Sequence, residues 1–126
     1  MQIVWDDNRS LDRCCEGVEG VTQAAGMNSQ ECALDPLGAD EFNGASTDRL
    51  VKASRIAGVS KFIYLSTTHV YGSRLEGEIN ENSFLLNKHP YATSHVAGEN
   101  AVLYQDNPKK NLKTVVLRLS NGIGSP

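Results

Sequence analysis

Two clusters in the sequence carry residue types that can do chemistry. One is the run Leu65-Ser66-Thr67-Thr68-His69-Val70-Tyr71-Gly72, and the other is Tyr91 with His95 four residues beyond it. A phenol serves as general acid/base when its pKa falls from about 10 toward neutrality, which a nearby cation promotes. A hydroxyl such as that of Ser66 or Thr67 can hold and polarise a reacting oxygen. Residues four apart share one face of a helix, so Tyr91 and His95 would act together only if the 90s are helical. Each residue also has an ordinary role: hydroxyls cap turns, a tyrosine opening a helix packs, and a histidine hydrogen-bonds at the surface. The combination therefore depends on which elements carry it.

Short β-branched and apolar runs occur at Ile3–Trp5, Gly20–Ala24, Phe62–Leu65 and Thr114–Leu119. Their continuous apolar character predicts parallel strands covered on both faces. Helix-like stretches alternate with them: Leu11–Cys15, then Pro36 to about Ala57, then Tyr91 to about Gln105. Asp35-Pro36 suits a helix start and Gly58 a stop. A polar loop from Tyr71 to Pro90, after a strand and ahead of a helix, has the position of a site loop. The alternation predicts an α/β fold with a parallel sheet. Hydroxyls at the carboxyl end of such a strand project into the crevice where ligands bind.

A chain of 126 residues makes one domain. Twelve Lys+Arg against 15 Asp+Glu leave a net charge of −3, with no basic cluster to suit nucleic acid or an anionic membrane. No apolar run is long enough to span a bilayer. The acidic start MQIVWDD lacks a charged-then-apolar leader, which places the expectation in the cytoplasm. Three cysteines, Cys14, Cys15 and Cys32, form no C-x-x-C pair and read as small apolar fillers, not a disulfide framework or zinc site. His69 and His89 have no carboxylate or cysteine spacing that suggests a metal.

Taken together, F-I-Y-L-S-T-T-H-V-Y-G, H-P-Y-A-T-S-H-V-A-G-E and L-R-L-S-N-G-I-G resemble the extended short-chain dehydrogenase/reductase family, nearest its NAD-dependent nucleotide-sugar epimerases and dehydratases. G-V-E-G-V-T-Q-A-A-G is similar to the family's fourth strand and following turn, F-N-G-A-S-T-D-R-L to its central helix, and G-V-S-K-F-I-Y-L-S to its fifth strand. The resemblance implies a partial NAD(P)-binding Rossmann domain over residues 1–126, with NAD, or else NADP, as cofactor and a nucleotide sugar as substrate. It implies catalytic roles for Tyr91 as acid/base and for Thr67, with Ser66 as fallback, as holder of the substrate oxygen. It places Ala24, Ala25, Gly26 and Asn43 near the cofactor, Leu65, Leu119 and Ser120 at its nicotinamide end, and Asp7, or Asp6, at its adenine. Thr68, His69 and Asn121 fall on the substrate side. A homodimer through the Tyr91 helix and the Pro36–Ala57 helix is also implied.

The sequence departs from the family twice. The family's Y-x-x-x-K lysine is His95 here, so its two tasks, holding the nicotinamide ribose and lowering the tyrosine pKa as a fixed cation, pass to a shorter and mostly neutral group. His95 is expected to keep the ribose hydrogen bond and to activate Tyr91 less well. In addition, no G-x-x-G-x-x-G follows a strand, and the family's opening strands and carboxy-terminal substrate lobe have no counterpart. The expectation is a fragment of a larger enzyme, inactive by itself, with the Gly20–Ala24 strand at a bare sheet edge. Dehydratases of the family place Asp-Glu after the catalytic threonine. Thr68-His69 stand there in this chain, so an epimerase or reductase fits better. The rival reading is a pseudoenzyme, a non-catalytic dinucleotide-binding or interaction protein, which the lost lysine and glycine-rich turn suit; retention of Thr67 and Tyr91 argues against it.

Overall fold

The computed structural model describes residues 5, 7–24, 26–72, 80–106 and 111–119. Three parallel strands form one sheet in the order β1 (Gly20–Gln23), β2 (Lys61–Thr67), β3 (Lys113–Leu119). Gly20 pairs with Lys61, and Lys61 with Lys113, so the register runs straight across the three amino ends. Parallel neighbours need crossover helices, and the sequence supplies them between each pair. Among the described residues β1 pairs on one side only, as expected for an edge strand. The run at Ile3–Trp5 lies outside the described residues except for Trp5, whose ring meets Phe42 edge-on at 5.5 Å.

Before β1 runs helix α1 (Asn8–Cys15), capped by Asp7, whose carboxylate accepts from the Arg9 N–H at 3.0 Å. It ends just before Gly17, which adopts φ +67°. The first crossover is more broken than its sequence suggests. A short helix α2 (Ser29–Leu34), capped by Asn28, comes first, and no helix was expected there. The stretch expected as one helix from Pro36 is then α3 (Pro36–Ala39), a wide π-type turn at Asp40–Ala45, and α4 (Ser46–Ile56). Asp35 caps α3 and Pro36 takes its first turn; past α4, Gly58 at φ +84° reverses the chain into β2. The second crossover is the 3-10 turn Thr68–Val70, the loop, and α5 (Pro90–Tyr104). Residues 73–79 of the loop and Lys109-Lys110 lie outside the described residues.

The expectation of strands covered on both faces is not met among the described residues. In β2, Phe62 and Tyr64 are fully buried while Ile63 and Leu65, which alternate with them, are only partly so, and in β3 Leu117 and Leu119 are 44% and 48% exposed. The reason is the placement of the helices. α1 packs on α4, α4 on α5, and α5 on β2 and β3, so the described helices form one connected layer. The core lies beneath it, with Leu11, Leu50, Val51, Phe62, Tyr64, Val102 and Leu112 in one cluster. Cys15 belongs to that cluster, Cys14 packs on its margin and Cys32 is fully buried; all three are free thiols. Burial, more than the adjacent Cys15, pushes the Cys14 thiol up to about 11, which keeps it protonated and unreactive.

Candidate functional site

The carboxyl ends of the three strands enclose a cavity of about 430 Å³. Ala24 borders it beyond β1, Leu65, Ser66 and Thr67 at the end of β2, and Leu119 at the end of β3. Gly26, Met27 and Asn28 close one side, and Tyr91 and His95 reach it from α5. Ligands of open parallel sheets bind at this end, where strand termini and helix starts leave a crevice. The Ser66–Thr67 and Tyr91–His95 clusters, 24 residues apart at Thr67 and Tyr91, therefore meet in one place.

Local chemistry orients each side chain. Thr67 is buried, and its Oγ1 accepts from the His69 N–H at 3.1 Å, which caps the 3-10 turn. The Ser66 hydroxyl donates to the Glu99 carboxylate at 2.5 Å, so its proton points away from any ligand oxygen while that of Thr67 stays available. His89 caps α5 by accepting the Tyr91 N–H on its Nδ1 at 3.1 Å, and Asn87 ties the loop back by donating to the His69 carbonyl at 2.8 Å. The ring of Tyr91 lies against that of His95, with centroids 4.6 Å apart. His95 Nδ1 is 2.7 Å from the Tyr91 carbonyl oxygen. Burial lowers the His95 pKa below its ordinary value, and the carbonyl bond and the Glu99 charge offset only part of that.

Asn43, expected near the cofactor, does not border the cavity. Its Oδ1 accepts from the Met27 N–H at 2.9 Å and its Nδ2 donates to Ser94 Oγ at 2.9 Å, so it joins the Gly26–Met27 backbone to α5. The π turn brings Asn43 into this position, and its carbonyl oxygen accepts from Tyr64 Oη at 3.4 Å. Asp7 is likewise not a lining residue; its carboxylate caps α1. Thr68 donates weakly to the Leu119 carbonyl at 3.4 Å and borders a different cavity, of about 550 Å³, and His69 borders neither of the two. Ala25, Ser120, Asn121 and Asp6 lie outside the described residues.

Behind the site lies a buried ion network that the sequence alone does not announce. Glu99, 2% exposed, takes two hydrogen bonds from Arg118, at 2.6 and 3.0 Å, besides that from Ser66. Arg118 also donates to Tyr71 Oη at 2.7 Å and lies over the Tyr71 ring. The hydrogen bonds to Glu99 hold the Arg118 pKa above its already high ordinary value, so it stays charged. Two signals were available: Glu99 lies eight residues after Tyr91, on the same helical face, and Arg118 interrupts an otherwise apolar strand. Among the described residues no group of three or more His, Cys, Asp or Glu is placed to hold a metal, and no helix is long and apolar enough to cross a membrane.

Comparison with known proteins places this geometry. Over 57 residues, 45% of this chain, the sequence is 47% identical to the mouse protein named dTDP-D-glucose 4,6-dehydratase and 46% identical to the human one; the match spans 16% of each relative's length. The fold superposes on RMD from Pseudomonas aeruginosa, solved with NADPH, with TM-score 0.84 and 26% identity over 96% of this chain and 42% of that one. It superposes on the UDP-Glc/GlcNAc 4-epimerase from Campylobacter jejuni with TM-score 0.79 and 26% identity, over 90% of this chain and 36% of that one. The chain thus spans about two fifths of the length of these neighbours. The profile of one family, described as NAD dependent epimerase/dehydratase, matches residues 1–126, all of the sequence, and the chain belongs to that family.

Proposed function

We propose that this chain supplies the nicotinamide end and the proton-transfer group of an NAD(P)-dependent enzyme that epimerises or reduces a nucleotide sugar. One observation carries the reading: Tyr91, Thr67 and His95 border a single cavity whose other walls include the apolar Leu65, Leu119 and Ala24. These walls suit a flat nicotinamide ring, and the polar groups suit the hydroxyls of a ribose and a sugar. Gly26 fits the same role, because a Cβ there would stand 3.1 Å from Asn43 Oδ1 and 3.7 Å from His95 Nε2, narrowing the cavity mouth. The cofactor, NAD or NADP, supplies hydride chemistry when bound. Tyr91 takes the proton of a sugar hydroxyl as that carbon is oxidised and returns it on reduction, while the Thr67 hydroxyl holds the same oxygen. The UDP-Glc/GlcNAc 4-epimerase among the solved neighbours supports the substrate class.

Thr68 and His69 support epimerase or reductase chemistry over water elimination, although the curated relatives are named as 4,6-dehydratases. A threonine hydroxyl bonded to a carbonyl supplies neither acid nor base, and neither residue borders the cavity. We assign residues 1–126 to a partial cofactor domain and the homodimer contact to α4 and α5, which leave Ile56 and Tyr104 in solvent. The test uses protein expressed from the full reading frame, with NAD and a panel of UDP- and dTDP-sugars, following reduced nicotinamide by absorbance and the sugar by NMR. Turnover that falls about 10²–10⁴-fold in Tyr91→Phe supports the reading. Cofactor binding with no turnover across the panel replaces it with a non-catalytic dinucleotide-binding protein.

A further inference from the structure

The place of the family lysine is taken by a histidine whose protonation the backbone dictates. His95 Nδ1 stands 2.7 Å from the Tyr91 carbonyl oxygen. A carbonyl oxygen can only accept, so Nδ1 carries the proton. The residue is buried, only 7% exposed, which disfavours a second proton. The groups around it are the Tyr91 ring at 4.6 Å on its own helix, the Tyr64 ring at 6.3 Å from β2, and the Glu99 carboxylate one turn further along, already paired with Arg118. Nε2 is thus left with a lone pair, no hydrogen-bond partner among the described residues, and a position facing Gly26 at the cavity wall.

We infer that His95 is a neutral hydrogen-bond acceptor, locked as the Nδ1–H tautomer by the Tyr91 carbonyl, and that its Nε2 receives an O–H from the ligand in this cavity. In the proposed function, on which this rests, the donor is a hydroxyl of the nicotinamide ribose. A lysine ammonium can only donate and brings a positive charge; this imidazole only accepts toward the ligand and brings none. Recognition of the sugar hydroxyl is therefore separated from activation of the phenol. The site can hold a ribose while supplying Tyr91 with no fixed cation from this position. Ligand groups that lack a proton to give, such as a phosphate or carboxylate oxygen, gain nothing from Nε2.

The experiment is ¹⁵N NMR of the histidine rings in the protein expressed from the full reading frame at neutral pH, with His95 assigned through bonds to its backbone so that no variant has to fold. The expected spectrum shows a protonated Nδ1 and an unprotonated Nε2. Nicotinamide mononucleotide at millimolar concentration, the probe that carries only the ribose end of the cofactor, should move the Nε2 signal in the direction of hydrogen bonding. Its 2′,3′-dideoxy analogue should leave that signal in place. An Nε2–H tautomer or an imidazolium in the free chain overturns the inference. So does probe binding, seen at the Gly26 and Thr67 amides, with Nε2 unmoved, and in that case the proposed function stands. No response at any cavity residue overturns both.

Discussion

The two halves of α5 are held in opposite ways. Its carboxyl half is fixed by charge, with Glu99 in a bidentate pair with Arg118 and a third hydrogen bond from Ser66. Its amino half, which carries Tyr91 and His95, is held by neutral contacts: the His89 cap, the Asn43–Ser94 hydrogen bond and ring packing. In the charged half Glu99 and Arg118 are engaged with each other and border the other cavity, of about 550 Å³, not the one at the strand ends. The neutral half keeps hydrogen-bonding capacity in reserve at the cavity wall. The ion pair and the two cavity-facing rings thus sit one helical turn apart, and Glu99 holds the hydroxyl of Ser66, which borders the cavity at the strand ends.

Breaking the charged half should have the largest effect. Arg118→Met leaves the Glu99 carboxylate buried with only the Ser66 hydroxyl, and stranding one member of a buried pair costs about 3–5 kcal/mol. Adding Glu99→Leu removes the stranded charge and should recover much of the loss, though not all of it, because the Ser66 hydroxyl then lacks its acceptor, a cost of about 1–3 kcal/mol. Denaturant unfolding of the single and double variants measures both. An Arg118→Met loss below about 1 kcal/mol would mean that the pair is solvated and anchors nothing.

The junction between the halves is Gly98, and it sharpens the comparison. A Cβ there would run into Tyr64 Oη and come within 2.5 Å of the Asn43 carbonyl oxygen. The tyrosine could yield slightly, but the carbonyl belongs to the backbone of the π turn. Gly98→Ala gains about 1 kcal/mol of helix propensity and loses more to overpacking, typically 1–3 kcal/mol, so the expected net loss is about 1–2 kcal/mol. A variant as stable as the parent would show that α5 can slide on β2 without disturbing either half.

The neutral half was the legible one. Spacing alone placed Tyr91 and His95 on one face, and strand–helix alternation put the Ser66–Thr67 run at a strand's carboxyl end. Asp35-Pro36 and Gly58 marked the right boundaries because caps and breakers act locally. What escaped the sequence depends on contacts between distant segments. α2 is too short for a periodic signal and rests on its Asn28 cap and the burial of Cys32. The π turn in D-E-F-N-G-A looks like ordinary helix until Asn43 is seen bridging Met27 and Ser94, 16 and 51 residues away. Arg118 was absorbed into an apolar run, because its partner becomes visible only when α5 is laid beside β3. The single covered face of the sheet was hidden by the same continuous runs, which report how apolar a strand is and not which helices cover it.

The smallest effect is the one that only the neutral half should show. Its pKa lowered by burial, His95 is harder to protonate folded than unfolded, where its ordinary value is 6.5. The unfolded chain therefore binds the proton first as pH falls, and stability is lost from about pH 6.5 downward toward the lowered folded value, being complete above that window. Arg118 stays charged throughout, so its side of the pair adds no slope there. Carboxylate titration lower in the acid range is common to parent and variant and cancels in their difference. His95→Gln, which can still donate to the Tyr91 carbonyl, should flatten the stability curve between about pH 7 and pH 5.5 relative to the parent. Parallel curves would place the His95 ring in contact with solvent water, with no desolvation to set it apart from the charged half.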